Sequence, residues 1–493
     1  MTNLSDLFPA GAGKQVSFTA SGNVTSSGKP VILNSDGTVA EVGETSVSQA
    51  KGSATSITSG DTNYLAMAYS TAADKFLAVF NDGSYAYYTI GTYSSGSPGS
   101  YTWTTPVKFR SANYSLINFG VAYSPDDDKF LITSQYVDDN NNGLGFVAEI
   151  DSGGTTVTMQ APVVFYSYSS YGVIDTAVVY DTNENKFLVA YIDGFSDGFV
   201  RAKVGSLSGT TLTYGSELEV DNSNQYYALV LDYSTTDQKS LVSFCMNTSN
   251  LYSRVLTVSG TSVTTGSVSS AWTTGTNYIA QCYDSSQNKF LLTYRESATK
   301  SRALTISGTT VSSGTETSIW STDSVMVSAT FDTTRNKNLV LTDDYSGNTM
   351  EIINVSIDSS GNLTAEAPFE VFSKGETSGA VVYDPDASVS AAVAKDDDLG
   401  STYGRCVAYE SGGSTTNLTA SNFLGISDAA ISSAASGNIT IKGGIAATGL
   451  SSLTPASDYY VQTDGSISTT STSPAVKIGK ALSATAINLE YTS

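Results

Sequence analysis

One short phrase returns seven times through the middle of this chain, and its spacing constrains the fold more than any other feature. In its clearest form it reads Ala177-Val178-Val179-Tyr180-Asp181, three turn-forming residues, then Asn185-Lys186-Phe187-Leu188-Val189-Ala190-Tyr191. The same phrase lies at 66–80, 120–133, 229–244, 280–294, 328–342 and 380–394. Its aromatic anchors are Tyr69, Tyr123, Tyr180, Tyr233, Tyr283, Phe331 and Tyr383, separated by 54, 57, 53, 50, 48 and 52 residues. Apolar runs this short, bounded by Asp, Asn, Ser and Thr, read as buried strands joined by hairpins. A second pair of strands follows in several units. The stretches 201–209, 254–260 and 302–308 each begin on Arg, end on Gly and run into a Ser/Thr/Val segment. Four strands repeated at a period near 50 mean one small sheet per repeat, arranged radially. The expectation is an all-β chain with a seven-bladed β-propeller.

The ends do not follow the period. Residues 1–42 contain short strands around a Ser35-Asp36-Gly37 turn, and residues 421–493 are rich in Ala, Gly, Ser and Thr. Two of these stretches echo each other: 27–39 and 456–467 both carry a strand into an Asp-Gly turn and leave on a β-branched residue. The expected organisation is an N-terminal β segment (1–42), the propeller (43–420) and a C-terminal β module (421–493), the two ends joining into one small β module. The alternative is two separate modules. Within the propeller, 43–60 is expected to supply the strand that closes blade seven, so that no sheet edge is left open. The alternative closing strand is 416–420.

Composition narrows function mainly by exclusion. A formal net charge of −22 disfavours nucleic acid and anionic membrane as partners. No run of 18 apolar residues is present to span a bilayer. The N-terminus lacks the basic and apolar regions of a secretion signal, so synthesis in a reducing host cytoplasm is expected. Cys245, Cys282 and Cys406 are expected as buried free thiols. Histidine is absent, which removes Ser-His-Asp and Cys-His catalysis and His-ligated zinc together. No catalytic residue can be nominated, and the chain is expected not to be an enzyme.

Two patterns remain as candidate sites. Asp138-Asp139-Asn140-Asn141-Asn142-Gly143 with Glu149 satisfies the calcium-loop pattern, naming Asp138, Asn140, Asn142 and Glu149 as oxygen ligands. Strands rather than helices flank it, so it reads first as an Asp/Asn-rich hairpin tip, with no cofactor expected beyond this one calcium candidate. The Tyr-rich loops are the second: Tyr85, Tyr87 and Tyr93 of blade one, and Tyr166, Tyr168 and Tyr171 leading into blade three. Tyr among Ser, Gly and Asn is the composition of adaptable recognition loops and suits stacking on carbohydrate. The competing reading is ordinary packing between blades.

The end segments carry a resemblance. Asn422-Phe-Leu-Gly-Ile-Ser-Asp-Ala-Ala-Ile-Ser432, Gly437-Asn-Ile-Thr-Ile-Lys-Gly-Gly-Ile445, Leu453-Thr-Pro-Ala-Ser-Asp-Tyr-Tyr-Val-Gln462 and Val476-Lys-Ile-Gly-Lys-Ala-Leu-Ser483 resemble the C-terminal module of tailed-phage structural proteins of the marine and cyanophage type. Leu7-Phe-Pro-Ala-Gly11 with Asn34-Ser-Asp-Gly-Thr-Val39 resembles the companion segment. The resemblance covers about a quarter of the chain, the ends set apart by the period, and carries no catalytic residues. It implies an exterior virion location, as a fibre or knob part on tail or capsid. Its partners would be other virion proteins, sister subunits in a homo-oligomer, and a host-surface glycan or protein receptor. The alternatives are a structural decoration protein without ligand and a propeller hydrolase acting on envelope polysaccharide.

Overall fold

In a computed structural model of the protein the sevenfold phrase becomes seven antiparallel sheets, and no helix occurs among the described residues. The structure describes residues 14–490 apart from 97, 111–114, 138–141, 168–171, 195–197, 223–225, 247–249, 274–277, 323, 325–326, 345–348, 374–377, 397–402 and 472–473. The chain forms two compact units: Ser48–Ser411, and Met1–Val47 together with Gly412–Ser493.

The first unit is the propeller. Its innermost strands are Asn63–Ser70, Ser115–Ser124, Val173–Asp181, Tyr226–Ser234, Ile279–Asp284, Val327–Asp332 and Gly379–Asp384. Each packs against the next, and the seventh packs against the first, so the ring is closed. The anchor phrase builds every first hairpin in one way. The residue after the anchor (Ser70, Ser124, Asp181, Ser234, Asp284, Asp332, Asp384) is buried. Its side-chain oxygen accepts turn N–H groups: Asp181 Oδ1 from Asn183 and Glu184 at 2.9 and 3.1 Å, Ser234 Oγ from Asp237 at 2.9 Å. Five residues after the anchor stand Asp74, Asp128, Asn185, Gln238, Asn288, Asn336 and Ser388, all left-handed with φ between 49° and 55°. Asn and Asp, the residues that best tolerate this region, fill five of the seven places. Apolar side chains then fill the spaces between blades. Leu188 and Val204 of blade three, for example, share a cluster with Val242 and Phe244 of blade four; each such side chain contributes about 1.5–3 kcal/mol on burial.

The fourth strand differs from expectation. It is broken into two segments that pair with the two halves of the third strand, as Val157–Met159 and Val163–Tyr166 do on Gly143–Ile150. At the break stands a residue whose N–H still donates to the third strand: Thr104, Gln160, Gly215, Gly266, Gly314 and Glu366 in blades one to six. Pro106, Pro162 and Pro368 follow two residues later in three blades, a placement open to proline only at a sheet edge. In blade seven the outer strand is Ala50–Lys51 and Thr55–Asp61, paired with Tyr403–Glu410, and the break residue is Gly52. The segment 413–416 pairs instead with Glu44–Val47.

The second unit holds two five-stranded sheets of the same topology. One contains, in chain order, Gln15–Thr19, Pro30–Leu33, Val39–Glu41, Phe423–Ser427 and Ser436–Ile441. The other contains Ile445–Ala446, Asp458–Val461, Ile467–Ser468, Lys477–Ser483 and Ala486–Leu489. Numbered within each sheet, both have the spatial order first, fifth, fourth, second, third. The match extends to detail. The hairpins 34–38 and 462–466 share the bond from Asn34 N–H to Thr38 and from Gln462 N–H to Ser466, with Gly37 and Gly465 at φ 83° and 79°. Both fourth strands carry a glycine against the partner backbone: a Cβ on Gly425 would stand 2.2 Å from the Thr440 carbonyl oxygen, and one on Gly479 1.9 Å from that of Asn488. The unit is thus one β module duplicated in tandem, and the propeller is inserted between the third and fourth strands of the first copy.

Candidate functional site

A propeller has two faces. On one lie the turns from first to second strand and from third to fourth. On the other the chain passes from second to third strand and from blade to blade. Innermost strands begin on this second, loop face, and there they are irregular. Register shifts interrupt the first hairpin at Asn63/Ala66, Ile117/Gly120, Val173/Asp175 and Tyr226/Ala228. Tyr64 and Asn118 sit in these bulges with φ of 53° and 51°. Bulges re-aim side chains, and a left-handed aromatic residue is a rare, strained choice. Tyr64 is 46% exposed, and Tyr227 and Tyr278, near the starts of the innermost strands of blades four and five, are each 38% exposed. The Arg295 guanidinium lies 5.8 Å from the Tyr278 ring centroid. These are the large exposed aromatic surfaces among the described residues.

Inward of these tyrosines the innermost strands enclose a cavity of about 370 Å³ that touches all seven blades, with a second of about 540 Å³ toward the hairpin face. Polar side chains in the channel stitch neighbouring strands. Asp175 Oδ2 accepts the Leu229 N–H at 3.0 Å, and Asp232 Oδ2 the Tyr283 N–H at 2.7 Å. Ser328, Thr330 and Ser378 receive the N–H groups of Val381, Tyr383 and Leu65. Burial pushes Asp175 and Asp232 up to about 6, opposed by the backbone N–H groups each accepts. With their oxygens engaged by backbone, these two carboxylates serve the ring rather than a substrate. The thiols are withdrawn as well: Cys245, Cys282 and Cys406 form no disulfide and are buried, and burial raises Cys245 to about 12.

The tyrosines singled out from sequence are not gathered on one rim. Tyr85 lies under the Lys108 amine, 2.9 Å from the ring centroid, and Tyr87 stacks on Phe80 at 5.7 Å. Tyr93 packs on Tyr101 at 5.4 Å, and its hydroxyl accepts the Gly99 N–H at 3.1 Å, in the third-to-fourth turn on the hairpin face. Tyr166 packs on Tyr191 at 5.3 Å. Tyr168 and Tyr171 lie outside the described residues. The packing reading accounts for Tyr87, Tyr93 and Tyr166. Tyr64 and Tyr278 carried a usable signal, since 57–64 and 272–278 are matching strings that end on these tyrosines.

The calcium pattern does not survive as one site. Asp138 and Asn140 lie outside the described residues, but Asn142 precedes the extended strand Gly143–Ile150 and Glu149 lies near its far end. At about 3.3 Å per residue their separation is roughly 20 Å, too far to share an ion. Glu149 pairs instead with Lys129 at 3.3 Å. Gly143 serves the Phe165 ring, which a Cβ there would meet at 2.3 Å, rather than a bend around an ion.

No protein family matches the sequence, and no curated protein matches it. Solved structures with propeller-like resemblance do. A chain of the mitotic checkpoint complex matches at 10% identity with a TM-score of 0.47, over 74% of this chain and 92% of that one. AofleA from Arthrobotrys oligospora matches at 10% identity and a TM-score of 0.40, over 69% and 94%. A Trypanosoma rangeli sialidase mutant displaying trans-sialidase activity matches at 10% and 0.40, over 80% and 59%. Likenesses at this level say nothing of function.

Proposed function

We propose that this protein is a non-enzymatic recognition component of a tailed-phage particle. In this reading the duplicated β module fixes it to other virion proteins, and the propeller binds a host-surface glycan with its loop face. The observation that carries glycan recognition is the exposure of Tyr64, Tyr227 and Tyr278 near the starts of three innermost strands. Exposed aromatic faces stack on the apolar faces of sugar rings, and the neighbouring Ser, Thr and Asn of these blade starts supply hydrogen bonds. The resemblance of the end segments supports the virion assignment. The test is a glycan array and a host-cell binding assay with the full chain and a Tyr64→Ala, Tyr227→Ala, Tyr278→Ala variant. Saturable binding that falls at least about tenfold in the triple variant is expected, from the loss of aromatic stacking. Binding unchanged in that variant, or no binding by the unaltered chain, overturns the recognition reading. Labelling of intact virions with an antibody to the protein tests the location separately.

A further inference from the structure

Blade seven is built from both ends of the propeller chain. Its outer strand, ending at Asp61, precedes blade one, while Gly379–Asp384, Val389–Asp396 and Tyr403–Glu410 come last. Strand pairing, rather than the chain itself, holds this seam together. A lysine stands beside it. Lys395 lies near the end of the second strand of blade seven, five residues beyond the partner of the anchor Tyr383. The same place in blades one to six is filled by Asn81, Gln135, Ile192, Cys245, Arg295 and Asp343. Lysine occurs there only at the seam.

The Lys395 side chain is 12% exposed, and its amine meets two groups from the first residues of the propeller. It donates to the Asn63 amide oxygen at 3.4 Å and stands 3.8 Å from Asp61 Oδ1. Between these two residues lies Thr62, which is fully buried. A Cβ on Gly404, the backbone partner of Lys395, would stand 2.6 Å from the Thr62 hydroxyl oxygen, so this segment is pressed against blade seven. Although the Asp61 side chain is partly exposed, its Oδ1 is buried with no hydrogen-bond partner. An amine, a carboxamide and a carboxylate thus converge in surroundings screened from water. They are the nucleophile, the acyl group and the proton carrier of an amide transfer.

We propose that Lys395 and Asn63 become joined by an isopeptide bond, formed by the protein itself with Asp61 carrying the protons. The Asn63 Cγ is one bond beyond Oδ1, so the amine stands within about 5 Å of the carbon it attacks. Rotation of the Asn63 side chain closes the remainder to the near-attack distance of about 3–3.5 Å. Asp61 takes one proton from the Lys395 ammonium, a transfer that replaces two poorly hydrated charges by two neutral groups. The Nζ lone pair then forms the bond to Cγ while Asp61 delivers that proton to Asn63 Nδ2. Asp61 removes the second proton from Nζ, the Cγ–Nδ2 bond breaks, and ammonia leaves, taking the last proton from Asp61 as ammonium. The bond joins residues 332 apart in the chain and makes the paired seam covalent. Cross-links that close long loops have the most unfolded-chain entropy to remove.

The test is the intact mass of the purified full chain. Expected is a mass below that of the sequence by one ammonia, about 17 Da, and, after proteolysis, a branched peptide joining Asn63 to Lys395. Lys395→Arg, which keeps a cation beside Asp61 but offers no attacking amine, should show no loss, and neither should Asn63→Ala. Asp61→Asn, which cannot carry the protons, should cross-link at least about a hundredfold more slowly. A full mass in the unaltered chain, the same loss in Lys395→Arg, or a loss of ammonia without that branched peptide overturns the proposal. If the variants fail to fold, the mass and peptide map of the unaltered chain decide alone.

Discussion

Gly52 and Gly99 meet at the seam of the ring: a Cβ on Gly52 would stand 1.9 Å from the Gly99 carbonyl oxygen. The same relation joins Gly215 to Thr261 and Gly266 to Thr309, each again at 1.9 Å, where the break in one blade's outer strand receives the third-to-fourth turn of the next blade. The strand carrying Gly52 precedes blade one in the chain but completes blade seven, and it repeats the packing of an ordinary outer strand. Gly52→Val must push the blade-one turn outward, at a cost of about 1–3 kcal/mol. Its urea midpoint should fall as far as that of Gly215→Val. A midpoint unchanged in Gly52→Val but lowered in Gly215→Val would show that the seam does not contribute as the other junctions do.

Acid should at first stabilise this protein. Asp175 and Asp232 have folded values near 6 against an ordinary 3.8. A carboxylate raised on folding favours the folded state fully below its unfolded value, and that advantage is lost as pH rises through the folded value. A shift of about two units corresponds to at most about 3 kcal/mol for each group. Glu41, Glu316 and Glu366 are shifted down despite desolvation, by hydrogen bonds from Thr25 (Glu41) and, for Glu316 and Glu366, chiefly from Lys300 and Lys337. Their contribution is present above the ordinary 4.5 and disappears only below it. Denaturant stability measured from pH 7 down to 5 should therefore rise. In Asp175→Asn, Asp232→Asn the rise should shrink, and stability falling steadily over the same window in the unaltered chain would contradict the assignment.

Most of the propeller was legible because its rule is local. An anchor, a buried Ser or Asp and a left-handed residue five places on lie within one hairpin in all seven blades, with a Lys next in six of them and Val389 in the seventh. The broken outer strand was harder to see, because its cause is the docking of a neighbouring blade at Gly215, Gly266 and Gly314 rather than anything in the strand itself. The tyrosines misled for a related reason: Tyr87 and Tyr93 have the composition of a recognition loop, but Phe80 and Tyr101 across the sheet capture their rings.

The tandem duplication makes the propeller separable. In the second copy of the module the third and fourth strands are joined by the residues between Ser468 and Lys477, so the module needs no large insertion to fold. In the first copy the chain leaves through Glu44–Val47 and returns through Gly413–Thr416, antiparallel partners with Val47 opposite Gly413. Ends paired this way can be joined by a two-residue Asn-Gly turn, whose twist matches that of the flanking strands. The shared core of Ile32, Phe423, Ile426, Val461, Ile478, Ile487 and Leu489 draws on both copies and on no propeller residue. A chain in which residues 48–412 are replaced by Asn-Gly should therefore be monodisperse, show a β-type circular dichroism spectrum and unfold cooperatively, with dispersed amide resonances. An aggregated or disordered product would mean that the module depends on its insert, and the description of the propeller as a guest within a self-sufficient duplicated module would have to be abandoned.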